Sequence, residues 1–462
     1  MSGKKTTGKG KEPAAAGVRI RMYNVGFGDC FLLTFPGAGR PRQVLIDCGF
    51  HSYGPPPTGL DAVVRAVIQD VTIGGKAEID VVIATHRHKD HVYGFENPAW
   101  KKVSVSEVWM PWTEHPTDPE ARKIREAQAK KAKRIKKALD RMKQLGLLGA
   151  ARHARASAVL SNSHFTNEAA MDTLHRGFAD KALRLFLPQG KDIVFPQKLE
   201  SKHLPEVAVH ILGPGRDREV IRDMEPPPNE SFMRFAGGAD GDAAPRLPFD
   251  LNRWGFSPKR RSGPSAKDPL FGWLKQRLAD PRGRGGKGTP PPYASREFPS
   301  YWVQRLKLKP ATIRGIEEAS RDDEFAAVVA LEAAVNGTSL LLAFEFGKHM
   351  LIFPGDAQWG TWKQALDNPA SRDLLSRATF YKVGHHGSHN ATPKEFVEKV
   401  ARKGVLDNAM VSTKATKQWQ DIPRKPLLEE LEGLGVAIAR SDGKSVPPAF
   451  KRVDAIRTDL VL

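Results

Sequence analysis

Three histidines and an aspartate are concentrated in one short run, Thr85-His86-Arg87-His88-Lys89-Asp90-His91. If these side chains were buried for packing alone, each would need its own hydrogen-bond partner. A metal ion meets that need, because neutral imidazole and carboxylate groups are ligands of Zn²⁺, Mn²⁺ and iron. The run therefore predicts a metal site, with a surface histidine cluster as the alternative. The candidate ligands are His86, His88, Asp90 and His91.

Two more groups of the same chemistry follow apolar runs in the second half of the chain. Asp356 comes directly after residues 351–355, and His385 and His386 come directly after residues 380–384. Because strand ends meet at one edge of a layered sheet, we expect these side chains to join the first run there. Ligands from several strand ends can form one site on a rigid scaffold, as a two-metal centre requires.

Short strands separated by turns must hold these residues in place. The order strand, helix, strand predicts a layered α/β domain. The Asn336-Gly337 dipeptide suits a type I′ turn and predicts a hairpin between strands 325–334 and 339–346. The other predicted strands are 19–25, 30–35, 43–47, 79–84, 183–187, 207–212, 350–353, 379–383 and 409–412, and the predicted helices are 61–69, 118–148, 166–180 and 426–434.

The composition is that of a globular protein, with 40% hydrophobic and 27% charged residues in 462. No run approaches the roughly 18 apolar residues of a membrane span, and the first residues lack the apolar stretch of a secretory signal. We therefore expect a cytoplasmic protein without membrane contact. Its two cysteines, Cys30 and Cys48, are too few for a thiolate zinc site or a disulfide scaffold. The predicted organisation is a flexible basic tail (1–17), the first half of a domain (18–214), a Pro/Gly-rich insertion (215–322) and the second half (323–462).

The chain is strongly basic, with a formal net charge of +20. Such a surplus concentrates anions near the surface. The predicted helix 118–148 adds to it, because residues 121–145 contain 11 lysines and arginines against Glu126 and Asp140, a balance of +9. This face is either an ordinary solvated helix surface or a surface that follows phosphates.

The motifs in this order make the sequence similar to the metallo-β-lactamase superfamily, and most of all to its ComEC type, the hydrolase-like domain of bacterial DNA-uptake channels. The resemblance spans the chain. It comprises residues 24–30 (NVGFGDC), 44–49 (VLIDCG), 86–91 (HRHKDH), 355–356 (GD) and 385–388 (HHGS). The family implies an αββα sandwich, in which two sheets face each other, helices cover the outside and metals lie at one rim. Here the sandwich would carry a long helical insertion and the Pro/Gly-rich insertion.

The resemblance also implies a ligand set for two divalent ions, Zn²⁺ or Mn²⁺. His86 and His88 would hold one metal, Asp90 and His91 the other, and Asp356 would bridge the two. Either His385 or His386 would complete the second metal's ligands, and the other would be placed to donate to substrate. Asp47, and with it Asp29, would orient a ligand imidazole from outside the metals, or would only cap turns.

The sequence departs from the family pattern in the middle region, where no further ligand histidine stands in a recognisable motif. His210, within a predicted strand, is interpreted as a core or edge histidine; the other histidines of this region are His164, His175 and His203. Phe27 and Tyr93 also replace a polar residue and a glycine that are common in the ComEC type. These changes concern substrate fit more than metal binding.

Two bridged cations could provide hydroxide near neutral pH, so the predicted activity is hydrolysis. Asp90 would orient the nucleophile as well as ligate, and His386 is a candidate catalytic donor. Lys382 is a candidate contact for the substrate anion, with an ordinary edge-strand lysine as the alternative; Lys414 has the same two interpretations.

The charge favours nucleic acid as the partner, and therefore hydrolysis of DNA or RNA phosphodiesters. The ComEC-type resemblance implies a nuclease as well. One alternative is hydrolysis of a small phosphodiester, a cyclic nucleotide or a lactone. Another, of a different class, is a non-catalytic module that a metal stabilises and that binds nucleic acid or a protein partner.

Overall fold

The computed structural model describes residues 17–144, 157, 160–162, 167–232, 334–417 and 419–462. The predicted tail except Gly17, all but the last residue of the predicted strand 325–334, and most of the predicted insertion 215–322 lie outside these residues. So does Thr166, the first residue of the predicted helix 166–180. Within the described ranges, none of the helices combines the length and the apolar character that crossing a membrane demands.

In the described part of the chain the first sheet has nine strands, and it carries the run 85–91. Eight strands follow the order β15-β16-β1-β2-β3-β5-β6-β7, and β4 pairs with β5. β3, β5, β6 and β7 run parallel to one another, so their carboxyl ends lie at one edge. The strands are β1 (Arg19–Tyr23), β2 (Phe31–Phe35), β3 (Arg42–Ile46), β4 (Thr72–Ile73), β5 (Lys76–Ile83), β6 (Ser104–Pro111), β7 (Leu183–Leu187), β15 (Phe450–Arg452) and β16 (Arg457–Val461).

Among the residues that the structure describes, the second sheet has seven strands in the order β14-β13-β12-β11-β10-β9-β8. β11 to β14 are parallel, whereas β8, β9 and β10 are antiparallel to their neighbours. Asp356 and the His385-His386 pair follow the carboxyl ends of β11 and β12. The strands are β8 (Gln197–Leu199), β9 (Ala208–Gly213), β10 (Leu341–Phe346), β11 (His349–Phe353), β12 (Phe380–Lys382), β13 (Asn408–Val411) and β14 (Ala437–Arg440).

Three apolar clusters show how the layers pack. One draws side chains from both sheets, for example Phe31 and Phe353, whose rings are 5.7 Å apart. The other two lie between each sheet and the helices outside it. The predicted mixed α/β class is therefore confirmed, with two large sheets in an arrangement compatible with an α/β sandwich. The helices are α1 (Leu60–Asp70), α2 (Lys89–Val92), α3 (Pro119–Gln144), α4 (Glu168–Asp172), α5 (Arg218–Arg222), α6 (Trp359–Asp367), α7 (Pro369–Ser376) and α8 (Lys425–Gly433).

The predicted hairpin at Asn336-Gly337 is wrong. Residues 334–336 form a helical turn. β10 pairs with β9 on one side and with β11 on the other, so neither edge of β10 can accept a strand that precedes the turn. The dipeptide matched the sequence preference of a hairpin, but the sheet gives β10 other partners.

A buried ionic network joins the two ends of the chain within the first sheet. The guanidinium of Arg21 on β1 donates two hydrogen bonds of 2.6 Å to the carboxylate of Asp459 on β16. It also lies 2.8 Å from Asp70 at the end of α1, which accepts hydrogen bonds from Tyr23 and Arg457 as well. Removing one member of such a network leaves the others as buried charges, which is costly.

We expect the substitution Arg21→Met to lower the free energy of unfolding by about 3 kcal/mol, because it leaves Asp459 without its two-point partner. Urea denaturation followed by circular dichroism measures the change. Arg176→Met is the matched control, since Arg176 and Asp172 form an exposed pair on one helical segment, which contributes about 0.5 kcal/mol or less. Equal losses in the two variants would show that the network does not stabilise the fold.

Candidate metal centre

Five loops from both sheets meet at one rim, and each brings site residues. Asp29 precedes β2, Asp47 follows β3, the run 85–91 follows β5, Asp356 follows β11, and the histidine pair follows β12. Every predicted ligand is buried; His385 is the most exposed, at 8%. The structure thus brings together imidazoles and carboxylates that are hundreds of residues apart in the sequence. The buried ligand candidates are His86, His88, Asp90, His91, Asp356, His385 and His386.

The first group of closely spaced ligand atoms belongs to His86, His91 and Asp356. Oδ2 of Asp356 lies 3.2 Å from Nε2 of His91 and 3.9 Å from Nε2 of His86. Nε2 of His86 lies 2.9 Å from Nδ1 of His88. Asp356 comes from the second sheet and the histidines from the first, so this group spans the interface between the sheets.

The second group belongs to Asp90, His91 and His386. Nε2 of His386 lies 3.6 Å from Oδ2 of Asp90. His385 points elsewhere, with its Nε2 atom 3.6 Å from Oδ2 of Asp356. The two neighbouring histidines therefore approach different carboxylates, a distinction that the sequence left open.

Several ligand atoms in these groups are buried without a hydrogen-bond partner in the described part of the chain. They are Nε2 of His91, Nε2 of His386 and Oδ1 of Asp356. Buried polar atoms are nearly always satisfied, so orphaned atoms of this kind need an explanation. A divalent cation fits the donor set, because it would accept lone pairs from imidazole and carboxylate together.

The remaining ring nitrogens are held by groups behind the ligand atoms. Nδ1 of His91 lies 2.8 Å from Oδ2 of Asp47, and Nδ1 of His386 lies 2.8 Å from the carbonyl oxygen of Ser412. If each Nδ1–H donates to these oxygens, Nε2 keeps its lone pair for a metal. The outer carboxylate Asp47 is itself fixed by hydrogen bonds of 2.7 and 2.6 Å from the amide and hydroxyl of Thr85.

His385 is held in the same way from its other side. Its Nδ1 atom lies 2.8 Å from Oγ of Ser388 and 3.2 Å from Oδ1 of Asn390. Nε2 is therefore directed toward Asp356, with the amide nitrogen of Asn336 3.5 Å away. The orientation of His385 is therefore fixed, with Nε2 facing Asp356 at the rim.

The charges in the cluster favour a cation. Burial works against ionisation of Asp90, but His386 and His91 together hold its pKa well below the usual range. Burial likewise opposes the charged form of His91, yet Asp356 and Asp47 raise its pKa well above the usual value, so a divalent cation would take the place of a proton on this imidazole. Burial lowers the pKa of His88 to about 4, so this imidazole is neutral at pH 7 and able to ligate.

Lys382 lies beneath the cluster and differs from both sequence interpretations. β12 is flanked by β11 and β13, so Lys382 is not on an edge strand. Its side chain is 2% exposed and forms an ion pair with Asp29, and its Nζ atom is 3.4 Å from the carbonyl oxygen of Gly355. Burial opposes its charge, but Asp29 and Asp356 raise its pKa above the usual value. The anion that this lysine contacts is therefore Asp29, and it is not placed to contact a substrate.

Asp29 lies behind two ligand imidazoles as well as beside Lys382. Its oxygens are 3.7 Å from Nδ1 of His91 and 3.6 Å from Nδ1 of His386. Its position is thus in the outer layer of the cluster, beside Asp47.

The backbone at the rim is unusual where ligands or their supports sit. Among the described non-glycine residues, positive φ occurs at Asp47 (57°), His385 (44°) and His386 (54°). Such conformations cost energy and concentrate at functional sites. Glycine is required where the loops touch: a Cβ atom on Gly49 would lie 2.4 Å from the carbonyl oxygen of Lys89.

Asn162 contacts the cluster and His51 lies among the aromatic residues beside it, and the sequence analysis singled out neither of them. Nδ2 of Asn162 donates a 3.2 Å hydrogen bond to Oδ1 of Asp90, and no sequence pattern around Asn162 announces this. His51 is buried, its ring centroid is 4.5 Å from that of Trp419, and burial lowers its pKa to about 4. Its place soon after Asp47 and Gly49 is the only sequence signal for it.

Aromatic residues flank one side of the cluster. The ring of Phe27 is 4.3 Å from that of His386 and 4.5 Å from that of Trp419. The ring of Tyr93 instead packs with Lys89, whose Nζ atom lies 4.0 Å from the ring centroid, and with Phe50, whose ring is 5.5 Å away. Of the two family departures, Phe27 is therefore the one in contact with a candidate ligand.

The other predicted residues lie away from the cluster. His210 pairs with Glu345 at 3.2 Å, which confirms its interpretation as a satisfied histidine within the sheet. His203 lies 4.0 Å from Glu107, and His175 stacks on Phe186. Lys414 donates a 2.5 Å hydrogen bond to the carbonyl oxygen of Pro55. His164 is outside the described residues, so the described middle-region histidines supply no further ligand.

Comparisons with known proteins add no class or name: no family model matches the chain, and no curated protein matches it.

We expect the substitution Asp47→Asn to weaken the binding of Zn²⁺ or Mn²⁺ about 10- to 100-fold, because it removes the carboxylate behind His91. Asparagine tolerates the positive φ at this position, so the backbone is preserved. A titration in competition with a chromophoric chelator measures the affinity. Glu345→Gln is the control, since Glu345 is a carboxylate paired outside the cluster. Unchanged affinity in Asp47→Asn would remove this residue from the metal centre.

Proposed function

We propose that the protein is a metal-dependent hydrolase of the metallo-β-lactamase type that cleaves phosphodiesters, with nucleic acid as the favoured substrate. The observation that carries the proposal is the convergence of His86, His91 and Asp356, from two sheets, on one rim, where Nε2 of His91 and Oδ1 of Asp356 are buried without a hydrogen-bond partner in the described part of the chain. The two-sheet α/β architecture and the order of the motifs support the same family.

The ligand atoms divide into two sets that share Asp356. His86 and His88 with Asp356 would hold one ion, with His385 facing the same carboxylate. Asp90, His91 and His386 with Asp356 would hold the other. When bound, two divalent cations activate water as a nucleophile and stabilise negative charge that develops on the substrate oxygens.

The protein's own groups position the reactants. Asp90 has one oxygen toward His386 and the other toward Asn162, so its orientation is fixed from two sides. This carboxylate can hold the attacking water by accepting a hydrogen bond from it. His385, the most exposed of the predicted ligands, can donate to a substrate oxygen from Nε2 if it does not ligate.

The charge of the site favours an anionic ester over a neutral lactone. Lys382 neutralises Asp29, which leaves Asp47, Asp90 and Asp356 as the other carboxylates of the three ligand groups. Before hydroxide is counted, two divalent cations would exceed the charge of these three carboxylates by one unit, which favours the approach of an anionic phosphodiester over that of a neutral lactone.

A small phosphodiester is the second candidate. It is favoured by the aromatic residues beside His386, because Phe27 and Trp419 are packed together and only 4% and 6% exposed. Because these two rings pack beside His386, they leave less space for a large substrate on that side of the candidate ligands. The two candidates differ in substrate size and share the same chemistry.

We expect the protein with Mn²⁺ or Zn²⁺ to hydrolyse bis(p-nitrophenyl) phosphate, and the variants His88→Ala and Asp90→Ala to lose at least about 100-fold in kcat, because each removes a ligand or the group that orients water. Release of p-nitrophenol, followed by absorbance, measures the rate. Single-stranded DNA, RNA and cyclic nucleotides are then compared under the same conditions.

His349→Ala is the matched control for the histidine variant, because His349 begins β11, at the end of that strand opposite to Asp356. It should retain wild-type turnover. If His88→Ala and Asp90→Ala turn over as fast as the wild type, the catalytic assignment fails. Salt-sensitive DNA binding without any turnover would instead favour the non-catalytic binding module.

A further inference from the structure

We propose that the exposed basic face of α3 binds the sugar–phosphate backbone of a single-stranded nucleic acid whose scissile phosphate lies at the metal centre. The proposal rests on the proposed function and adds to it a surface outside the metal ligands. We define the α3 face as the exposed basic residues of this helix. They are Arg122, Lys123, Lys130, Lys131, Lys133, Arg134, Lys136 and Lys137.

α3 begins at the same rim as the metal-binding run. It follows β6, whose carboxyl end lies beside that of the parallel strand β5. Between β6 and α3, Oε1 of Glu114 lies 3.8 Å from Nε of Arg87, the residue between two candidate ligands. From α3, the Arg125 side chain donates to the carbonyl oxygens of Thr113 and His115. The first turns of α3 are thereby fixed to the segment that contacts the metal-binding run.

The chain returns to the same place after α3. Asn162 donates to Asp90, and Asn167 donates to the carbonyl oxygens of Arg87 and Asn162. The first turns of α3 and the residues Asn162 and Asn167, which follow the helix in the chain, are therefore both anchored to the run 85–91.

The charge on the α3 face is largely uncompensated. Arg122 pairs with Glu126 at 4.0 Å and Lys136 pairs with Asp140 at 2.7 Å. Within the described part of the chain, the other members of the α3 face form no ion pair. The opposite side of the helix is apolar and buried at Ala121, Ala132, Ile135 and Leu139. The basic side is therefore held outward by packing of the apolar side.

The spacing of the basic residues matches a phosphate chain. Lys130, Lys133, Arg134 and Lys137 recur at intervals of three and four and so share one side of the helix. At 1.5 Å per residue, Lys130 and Lys137 are about 10 Å apart along the helix axis, so these side chains can contact more than one phosphate of the same strand. An ordinary solvated helix also carries lysines. Here, however, the segments before and after α3 both contact the run 85–91.

The test uses a variant with Lys130, Lys133, Arg134 and Lys137 replaced by Gln. The matched control replaces Lys399, Arg402, Lys403 and Lys451 by Gln, which changes the net charge equally at exposed positions elsewhere. Binding of 20-nucleotide single-stranded DNA and RNA is measured by fluorescence anisotropy over a range of salt. Hydrolysis of the same oligonucleotides and of bis(p-nitrophenyl) phosphate is measured in parallel with Mn²⁺.

For the α3 variant we expect oligonucleotide affinity to fall about 10- to 100-fold and the salt slope to decrease by about 3, because each lost phosphate contact contributes about 0.7. The KM for oligonucleotides should rise while kcat changes little. Turnover of bis(p-nitrophenyl) phosphate should be unchanged, since one phosphodiester cannot reach the α3 face. The control variant should change oligonucleotide affinity less than 3-fold.

Equal loss of affinity in both variants would overturn the role of α3 and leave the proposed function standing. Competition by poly-glutamate as strong as that by an oligonucleotide would also overturn it, because the surface would then recognise acidic chains in general. Absence of bis(p-nitrophenyl) phosphate hydrolysis by the wild type would overturn the proposed hydrolase. The anisotropy measurement would in that case still decide whether α3 binds nucleic acid.

Discussion

The constraint on which the site depends is the burial of several carboxylates and imidazoles at a junction between two sheets. Asp356 from the second sheet lies 3.2 Å from His91 of the first, and both are almost fully buried. Taking charges out of water is expensive unless each finds a partner. Protein groups supply part of the compensation, and the unsatisfied atoms on His91, His386 and Asp356 mark where a cation would supply the rest.

Compensation by protein groups is arranged behind the ligands. Asp29 is neutralised by Lys382, and Asp47 accepts hydrogen bonds from Thr85 while contacting His91. These contacts involve atoms on the far side of the candidate ligands, such as Nδ1 of His91, and leave Nε2 of His91 free to bind a cation. Because the supporting groups lie on strands or next to strand ends, the candidate ligand side chains have little freedom to move, which is the preorganisation that a metal centre needs.

The candidate ligands could be predicted from the sequence because histidines and aspartates lie close together in it, as in the run 85–91. Histidines and carboxylates directly after apolar runs are rare enough to stand out, and α1, α3 and most strands of both sheets were predictable from periodicity and turns. β6 was missed, although Ser104–Pro111 contains apolar residues, because Glu107 interrupts the pattern. In the fold Glu107 is buried and accepts a hydrogen bond from Trp109, so this carboxylate is a core residue rather than a break in the strand.

What the sequence could not predict depends on contacts across long separations. Lys382 looks like any strand lysine until β11 and β13 enclose it and Asp29 faces it from the other sheet. No sequence pattern around Asn162 distinguishes it, yet it donates a hydrogen bond to Asp90 because the chain after α3 returns to the rim of the sheets. The difference between His385 and His386 is likewise a property of the backbone: with both residues at positive φ, the two side chains diverge toward Asp356 and Asp90. This fixed divergence brings two adjacent imidazoles to different carboxylates, so the cluster has an imidazole beside each of Asp356 and Asp90 although the described middle region adds no further histidine to it.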